Sequence, residues 1–218
     1  MKRRFDIVAA ALGIIVLSPL WLAVALLIKL TSPGPIFFRQ ERVGRHFLRF
    51  QIYKFRTMVH EADRRGRPIT VGADPRVTSL GRFLRASKID EFPQLLNVLK
   101  GEMSLVGPRP EVPLYVELYR QNYEEVLQMR PGITDLASIR YRHEAELLGA
   151  SADPEIEYVM HLLPIKIRLG KEYARRSSFW LDLVILWRTF LVLFHIKASP
   201  RRISRRAMVR GTELRKCP

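Results

Sequence analysis

Residues 7–28 read IVAAALGIIVLSPLWLAVALLI, 22 consecutive positions without a charged side chain. As one helix this run is about 33 Å long, enough to cross a hydrocarbon core of about 30 Å. It is longer than the apolar core of a cleaved leader, and no A-x-A site with a polar mature start follows it. Ser18-Pro19 sits at its centre. Pro19 lacks the N–H that would bond the Ile15 carbonyl, and its ring crowds that carbonyl, so a kink is expected. The Ser18 hydroxyl can bond back to the preceding turn and satisfy the freed oxygen. Both flanks are basic: Lys2, Arg3 and Arg4 before the run, Lys29, Arg39 and Arg42 after it. Such flanks prefer the cytoplasmic side. Two readings remain open, a kinked single span and a helix–break–helix hairpin that enters and leaves one leaflet.

Downstream, the pattern shortens and alternates. Ser32-Pro33-Gly34-Pro35 is a stiff turn out of the apolar segment. Ile36–Gln40 and Phe47–Phe55 read as two strands around Val43-Gly44-Arg45, a short hairpin. Residues 60–77 are polar and punctuated by Gly66, Pro68, Gly72 and Pro75, a loop. Helices are predicted over 79–87 and 90–100, and Gly107-Pro108-Arg109-Pro110 forms a rigid loop. Glu111–Met129 is helical by periodicity and ends at Pro131-Gly132. Asp153-Pro154 opens a helix to about Arg175. Residues 179–194, FWLDLVILWRTFLVLF, are apolar around most of their circumference, with Trp180 and Trp187 two turns apart on one face. Sixteen residues are short for a span, which favours a helix lying in the interface; a buried core helix is the other reading.

Composition adds charge to this picture. The 218 residues carry 37 Lys+Arg against 21 Asp+Glu, a net +16. That excess requires an acidic partner: nucleic acid, anionic lipid or a phosphorylated substrate. With 48% hydrophobic residues the chain is not a disordered basic tail. The single cysteine, Cys217, excludes a disulfide scaffold and a Cys-based zinc site. Residues 195–218 hold eight Lys/Arg and one Glu, a tail suited to anionic headgroups or to solubility alone. No aromatic-rich RNA motif or helix-turn-helix supports a nucleic-acid partner. A phosphate-binding G-x-x-x-x-G-K-[ST] loop, a G-x-G-x-x-G turn, an H-E-x-x-H pair and an Asp-x-Asp are all absent.

The informative stretch is residues 82–99, RFLRASKIDEFPQLLNVL. Pro93 is tolerated only in a first helical turn, so a helix should begin near Asp90-Glu91. A helix N-terminus favours negative charge, either a carboxylate or a bound phosphate. An ordinary Asp cap with a first-turn Glu gives the same pattern. The surrounding cations favour chemistry: Lys54, Arg56, Arg82, Arg85, Arg109, Arg130, Arg140 and Arg142 lie on several elements that can converge. A carboxylate attacks phosphorus only when the target's charge is neutralised, and arginine forks do this bidentately. A divalent cation on one carboxylate and the substrate phosphates completes the neutralisation. Two adjacent carboxylates can then divide attack from metal or proton handling. Arg109 lies between two prolines, which pre-fixes its backbone.

With these residues in place, the sequence resembles the bacterial sugar transferase family of monotopic phosphoglycosyl transferases, in its minimal catalytic form. The resemblance runs from Arg4-Phe5-Asp6 to about Phe194. It rests on Ser18-Pro19, the F-x-Q-x-R-x-G of Phe38–Gly44, Tyr53-Lys54-Phe55-Arg56-Thr57-Met58, Asp90-Glu91 with Pro93-Gln94-Leu95, Asn97–Gly101, Met103–Pro110, and Arg130–Thr134. It implies an α+β fold, mostly helical and membrane-associated, with a small β-hairpin, an N-terminal re-entrant helix-break-helix and interfacial amphipathic helices. Residues 1–32 would be the re-entrant hairpin broken at Ser18-Pro19, residues 33–195 the catalytic domain including the interfacial helix 179–194, and residues 196–218 the basic tail. The implied site has Asp90 attacking the β-phosphate of a UDP-sugar and Glu91 holding Mg²⁺. Lys54, Arg85, Pro108, Arg109, Pro110 and Arg142 would bind phosphate or nucleotide. UMP leaves, and polyprenol phosphate accepts the phosphosugar. The implied location is the cytoplasmic face of the bacterial inner membrane, among anionic lipids. One stretch departs from the family pattern. After Pro-Gly-Ile-Thr many members continue Gly-(Trp/Leu)-Ala-Gln, whereas this chain has Asp135-Leu136-Ala137-Ser138, keeping a nearby Arg.

Overall fold

The computed structural model describes residues 1–60, 62, 71–72 and 74–194. The loop expected over 60–77 and the basic tail therefore lie largely outside the described residues. Helix α1 (Lys2–Thr31) is followed by the antiparallel hairpin of β1 (Phe37–Val43) and β2 (Arg49–Phe55). Next come α2 (Ser79–Ala86), a single 3₁₀ turn at Ile89–Glu91, α3 (Gln94–Lys100) and β3 (Ser104–Val106). Helices α4 (Pro113–Leu118) and α5 (Arg120–Val126) lead to β4 (Gly132–Thr134), which pairs in parallel with β3. The chain ends in α6 (Leu136–Arg140), α7 (Glu144–Gly149), α8 (Pro154–Glu157), a π turn over Tyr158–Leu162, α9 (Leu163–Arg176) and α10 (Phe179–Phe194). The fold is mostly helical with two small two-stranded sheets.

Helix α1 is continuous, so the expected break at Ser18-Pro19 is not a break in the helix: Pro19 lies inside it. The Ser18 hydroxyl donates to the Ile15 carbonyl at 2.8 Å, filling the bond that the proline nitrogen cannot make. Among the described residues this is the one helix long and apolar enough to cross a membrane. One stripe of it nevertheless packs on the domain. Ala10 meets Phe50, Ile52, Val98 and Met103, while Val24 and Ile28 meet Phe55 and Leu84. The spacing between 10, 24 and 28 matches an i, i+3/i+4 face. Both ends are tied to the same body. The Lys2 ammonium donates to Asp182, the Tyr173 hydroxyl and the Val106 carbonyl. Asp6 accepts from the Ser104 hydroxyl, and Arg56 donates to the Ser32 carbonyl at the other end.

The opposite face of α1 is apolar and exposed, including Leu12, Val16, Leu22, Leu26 and Leu30. Helix α10 repeats the arrangement. Asp182 and Ile185 are buried, whereas Trp180 is 76% and Trp187 61% exposed, so the helix is partly rather than wholly buried. Phe5 and Phe179 meet edge to face at 5.3 Å, joining the two helices at their starts.

Three expected helices differ in detail. The one placed over 90–100 begins at Gln94, because Pro93 occupies the N-cap and Asp90-Glu91 fall in the preceding 3₁₀ turn. Glu111–Met129 is two short helices separated at Tyr119. The helix opened by Asp153, whose carboxylate accepts from Glu155 and Ile156 N–H, passes through the π turn before α9.

A buried ionic cluster closes the core beneath the second half of the chain. Glu111 bonds Arg42 at 3.0 Å and the Tyr158 hydroxyl. Burial alone would raise the Glu111 carboxyl, but Arg42, Lys166 and these hydrogen bonds hold it below its usual value. A depressed folded-state pKa stabilises the fold above the unfolded value of about 4.5 and loses that contribution as pH falls. Glu111→Gln should therefore cost roughly 3–5 kcal/mol at neutral pH. In denaturant melts of the detergent-solubilised protein, mutant and wild-type stability should converge as the solution is acidified below pH 4.

Candidate active site

Three segments distant in sequence meet at Glu91. Strand β2 presents Lys54, whose ammonium lies 3.2 Å from one Glu91 oxygen. The loop after β3 presents Arg109, whose guanidinium grips both oxygens, one contact at 3.0 Å. The 3₁₀ turn supplies Glu91 and, beside it, Asp90. Lys88 enters that turn with a left-handed φ of 59°, a conformation few non-glycine residues adopt. It reverses the chain between α2 and the acidic pair.

The two carboxylates are pushed in opposite directions. Asp90 is 6% exposed and its Oδ1 is buried without a hydrogen-bond partner among the described residues. Burial raises its carboxyl, the Glu91 charge adds to this, and Lys54, Lys88 and Arg85 offset part of it. For Glu91, burial is overcome by the charges of Arg109 and Lys54 and the Arg109 hydrogen bond, which hold it well below the carboxylate range. Burial lowers the Lys54 ammonium despite its partner, whereas Glu91 raises Arg109 against its burial. One acid is thus a desolvated, under-bonded base and its neighbour a fixed anion, the separation expected of a divided chemical task.

These groups line one open cleft of about 1870 Å³. Arg85 lines it too, its Nε donating to the Thr57 hydroxyl at 2.8 Å. Pro110 lines it, while Pro108 does not and faces a small secondary cavity instead. The Pro108 carbonyl accepts from Gly132 N–H, so this proline fixes the loop rather than touching the cleft. Arg142 lines the cleft with its guanidinium donating to the Val192 carbonyl of α10. Ser18 and Pro19 are remote, on the exposed part of α1. Arg56 also lines the cleft. It follows directly after β2 and is one of the cations that the sequence already groups with the acidic pair.

The departing segment has a local role. Asp135 accepts from Ser138 N–H at 2.6 Å, capping α6, and from the Arg109 backbone N–H at 3.2 Å. A buried carboxylate therefore orients both the helix and the loop that carries Arg109.

The sequence pattern of bacterial sugar transferases matches residues 1–196 of the 218. The chain belongs to the bacterial sugar transferase family. Family members with curated names resemble it along most of its length. It is 40% identical over 194 residues to the UDP-N-acetylgalactosamine-undecaprenyl-phosphate N-acetylgalactosaminephosphotransferase of Aeromonas hydrophila, covering 87% of this chain and 42% of that protein. To the UDP-glucose:undecaprenyl-phosphate glucose-1-phosphate transferase of Caulobacter vibrioides it is 44% identical over 191 residues, 86% of this chain and 67% of the relative. The enzyme of the same name in Escherichia coli K12 is 39% identical over 204 residues, covering 91% and 41%. This family member thus spans about two fifths of the first and third relatives and two thirds of the second.

Among the described residues no three His, Cys, Asp or Glu side chains converge as a metal cage. Removing the Asp135 cap tests the local architecture. Asp135→Ala should destabilise by about 1 kcal/mol, read as a shifted denaturant midpoint, and Asp135→Asn should recover most of it. A missing recovery would mean that the carboxylate charge, not the cap, is what matters.

Proposed function

We propose that the chain transfers a phosphosugar from a UDP-sugar to polyprenol phosphate through a covalent intermediate on Asp90, releasing UMP. The observation that carries this reading is the buried, under-bonded Asp90 carboxylate beside a Glu91 clamped by Lys54 and Arg109. Burial strips water from the Asp90 oxygen that must attack, which makes it a better nucleophile than a solvated carboxylate. Arg109, Lys54 and Arg85 supply the positive charge that an anionic diphosphate needs before a carboxylate can approach it.

In the first step an Asp90 oxygen forms a bond to the β-phosphorus, and the bond from that phosphorus to the bridging oxygen breaks. UMP leaves with that electron pair as a dianion. In the second, an oxygen of the dianionic polyprenol phosphate attacks the same phosphorus, and Asp90 departs as a carboxylate. Neither step consumes or releases a proton. Glu91 fits a role in holding Mg²⁺: its two oxygens have about four acceptor positions, three of them occupied by Lys54 and Arg109, and the unpartnered Asp90 Oδ1 lies next to it in sequence. The cation would neutralise the diphosphate and stabilise the leaving UMP.

The same reading places α1 as a re-entrant element on the cytoplasmic face of the inner membrane. Its two ends are held by one folded body, at Lys2 and Asp6 and again at Ser32, which supports both ends lying on one side. The exposed apolar face of α1 and the exposed Trp180 and Trp187 of α10 suit an interfacial seat among anionic lipids.

Two measurements test this. Purified protein with Mg²⁺, polyprenol phosphate and a panel of UDP-sugars should release UMP; release of UDP would identify direct glycosyl transfer instead. Asp90→Asn should lower turnover by at least about a thousandfold with an unchanged thermal midpoint. For topology, cysteines introduced at residues 2 and 31 should both react only from the cytoplasmic side, and periplasmic labelling of residue 2 would refute the re-entrant arrangement.

A further inference from the structure

Sorting the cleft's cations by what already holds them isolates a second anion site. Lys54 and Arg109 are committed to Glu91, Arg42 to Glu111 and Lys166 to Glu144. Arg56 differs. It is 7% exposed, yet its partners are neutral, the Ser32 carbonyl at 2.7 Å and the Ser32 hydroxyl at 3.1 Å. Its NH1 is buried with no partner among the described residues. Burial accordingly lowers its pKa. A desolvated guanidinium without a carboxylate is costly unless an anion completes it.

What surrounds Arg56 points to the same conclusion. Ser32 caps the C-terminal end of α1, and Lys29, in the last turn of that helix, lines the cleft with an exposed ammonium. Gly34 has φ +112°, and a Cβ there would collide with both the Arg56 NH1 and the His60 ring. The Arg56 guanidinium and the His60 ring therefore pack directly against the Gly34 backbone. Lys29, Arg56 and His60 all line the cleft that holds Asp90. Among α1 residues only Lys29 does so, two positions after the exposed apolar pair Leu26-Leu27.

We infer that Lys29 and Arg56 bind the phosphate of the lipid acceptor. An acceptor whose hydrocarbon chain lies along the apolar face of α1 presents its headgroup at the end of that helix, where these cations are. A nucleotide, which has no such chain, gains nothing from that position. The assignment rests on the transfer reaction proposed above, and it separates the acceptor's phosphate from the cations at Glu91 that would take the donor's diphosphate.

The test compares wild type with Lys29→Gln, Lys29→Arg and Arg56→Lys in zwitterionic detergent. Three quantities are read: the KM for polyprenol phosphate, acceptor-independent exchange of labelled UMP into UDP-sugar, and direct binding of a short-chain polyprenyl phosphate without donor. Lys29→Gln and Arg56→Lys should each raise the acceptor KM and weaken direct binding roughly tenfold, with UMP exchange within about twofold of wild type. Lys29→Arg should restore acceptor binding. An unchanged acceptor KM, or an equal rise in the KM for UDP-sugar, would overturn the assignment. So would a loss that appears only in vesicles containing anionic lipid, which would make this a headgroup site. Direct binding separates the two levels: Lys29-dependent binding by a protein that releases no UMP would sink the transfer reaction and leave the phosphate site standing. UMP exchange with Lys29-independent acceptor binding would do the reverse.

Discussion

The clamp on Glu91 is the interaction on which the rest of the site depends. It joins a strand, a one-turn 3₁₀ segment and a proline-bounded loop, and each of these is held from behind by something else. Asn97 on α3 donates to the Gln51 carbonyl and accepts from Tyr53 N–H, locking β2 against the helix that follows the acidic pair. The Arg109 loop is held by the parallel β3–β4 pairing and by Asp135. A two-residue parallel contact is weak alone. It persists here because both strands lead into buried anchors, Met103 and Val106 on one side and Ala137 on the other. The positive charge of Arg109 is thereby fixed in place before any ligand arrives, which is the condition for electrostatic stabilisation without reorganisation.

Much of this was legible in the chain and some was not, for identifiable reasons. The hairpin of β1 and β2, helix α2, the Asp153 cap and the extent of α10 all followed from local patterning, since alternation, capping residues and turn residues act over a few positions. The sequence puts Asp90-Glu91 at the start of a helix rather than in a separate 3₁₀ turn, because Pro93 is as compatible with an N-cap as with a first turn. The β3–β4 pairing joins residues 104 and 132 through segments of three residues, too short to show a period. The split at Tyr119 interrupts a helical pattern without a glycine or proline to announce it. The Arg142 guanidinium meets a main-chain carbonyl of α10, a partner that no one-dimensional pattern encodes. Adjacency groups Pro108 with Arg109, but of the two only Arg109 also reaches the large cleft, while both line the small second cavity.

Charge accounts for the fold's economy at the membrane side as well. A net +16 on 218 residues would repel itself in a compact body. Pairs such as Arg42–Glu111 and Lys54–Glu91 carry no net charge, so the excess lies outside them, in part on the flanks of α1 and in part in residues 195–218, which hold eight Lys/Arg and one Glu. The apolar helices carry few charges, and Lys2 and Asp182 pair across the starts of α1 and α10.

That pairing fixes an order of events during synthesis. Lys2 and Asp182 are separated by 180 residues, so α1 leaves the ribosome long before its electrostatic partner is made. During that interval the emerging helix has neither the Asp182 carboxylate nor the Ser104 hydroxyl to receive its polar end. Its apolar face has only lipid or a chaperone to cover it. The polar start of the first helix is thus completed only when the last helix has been made.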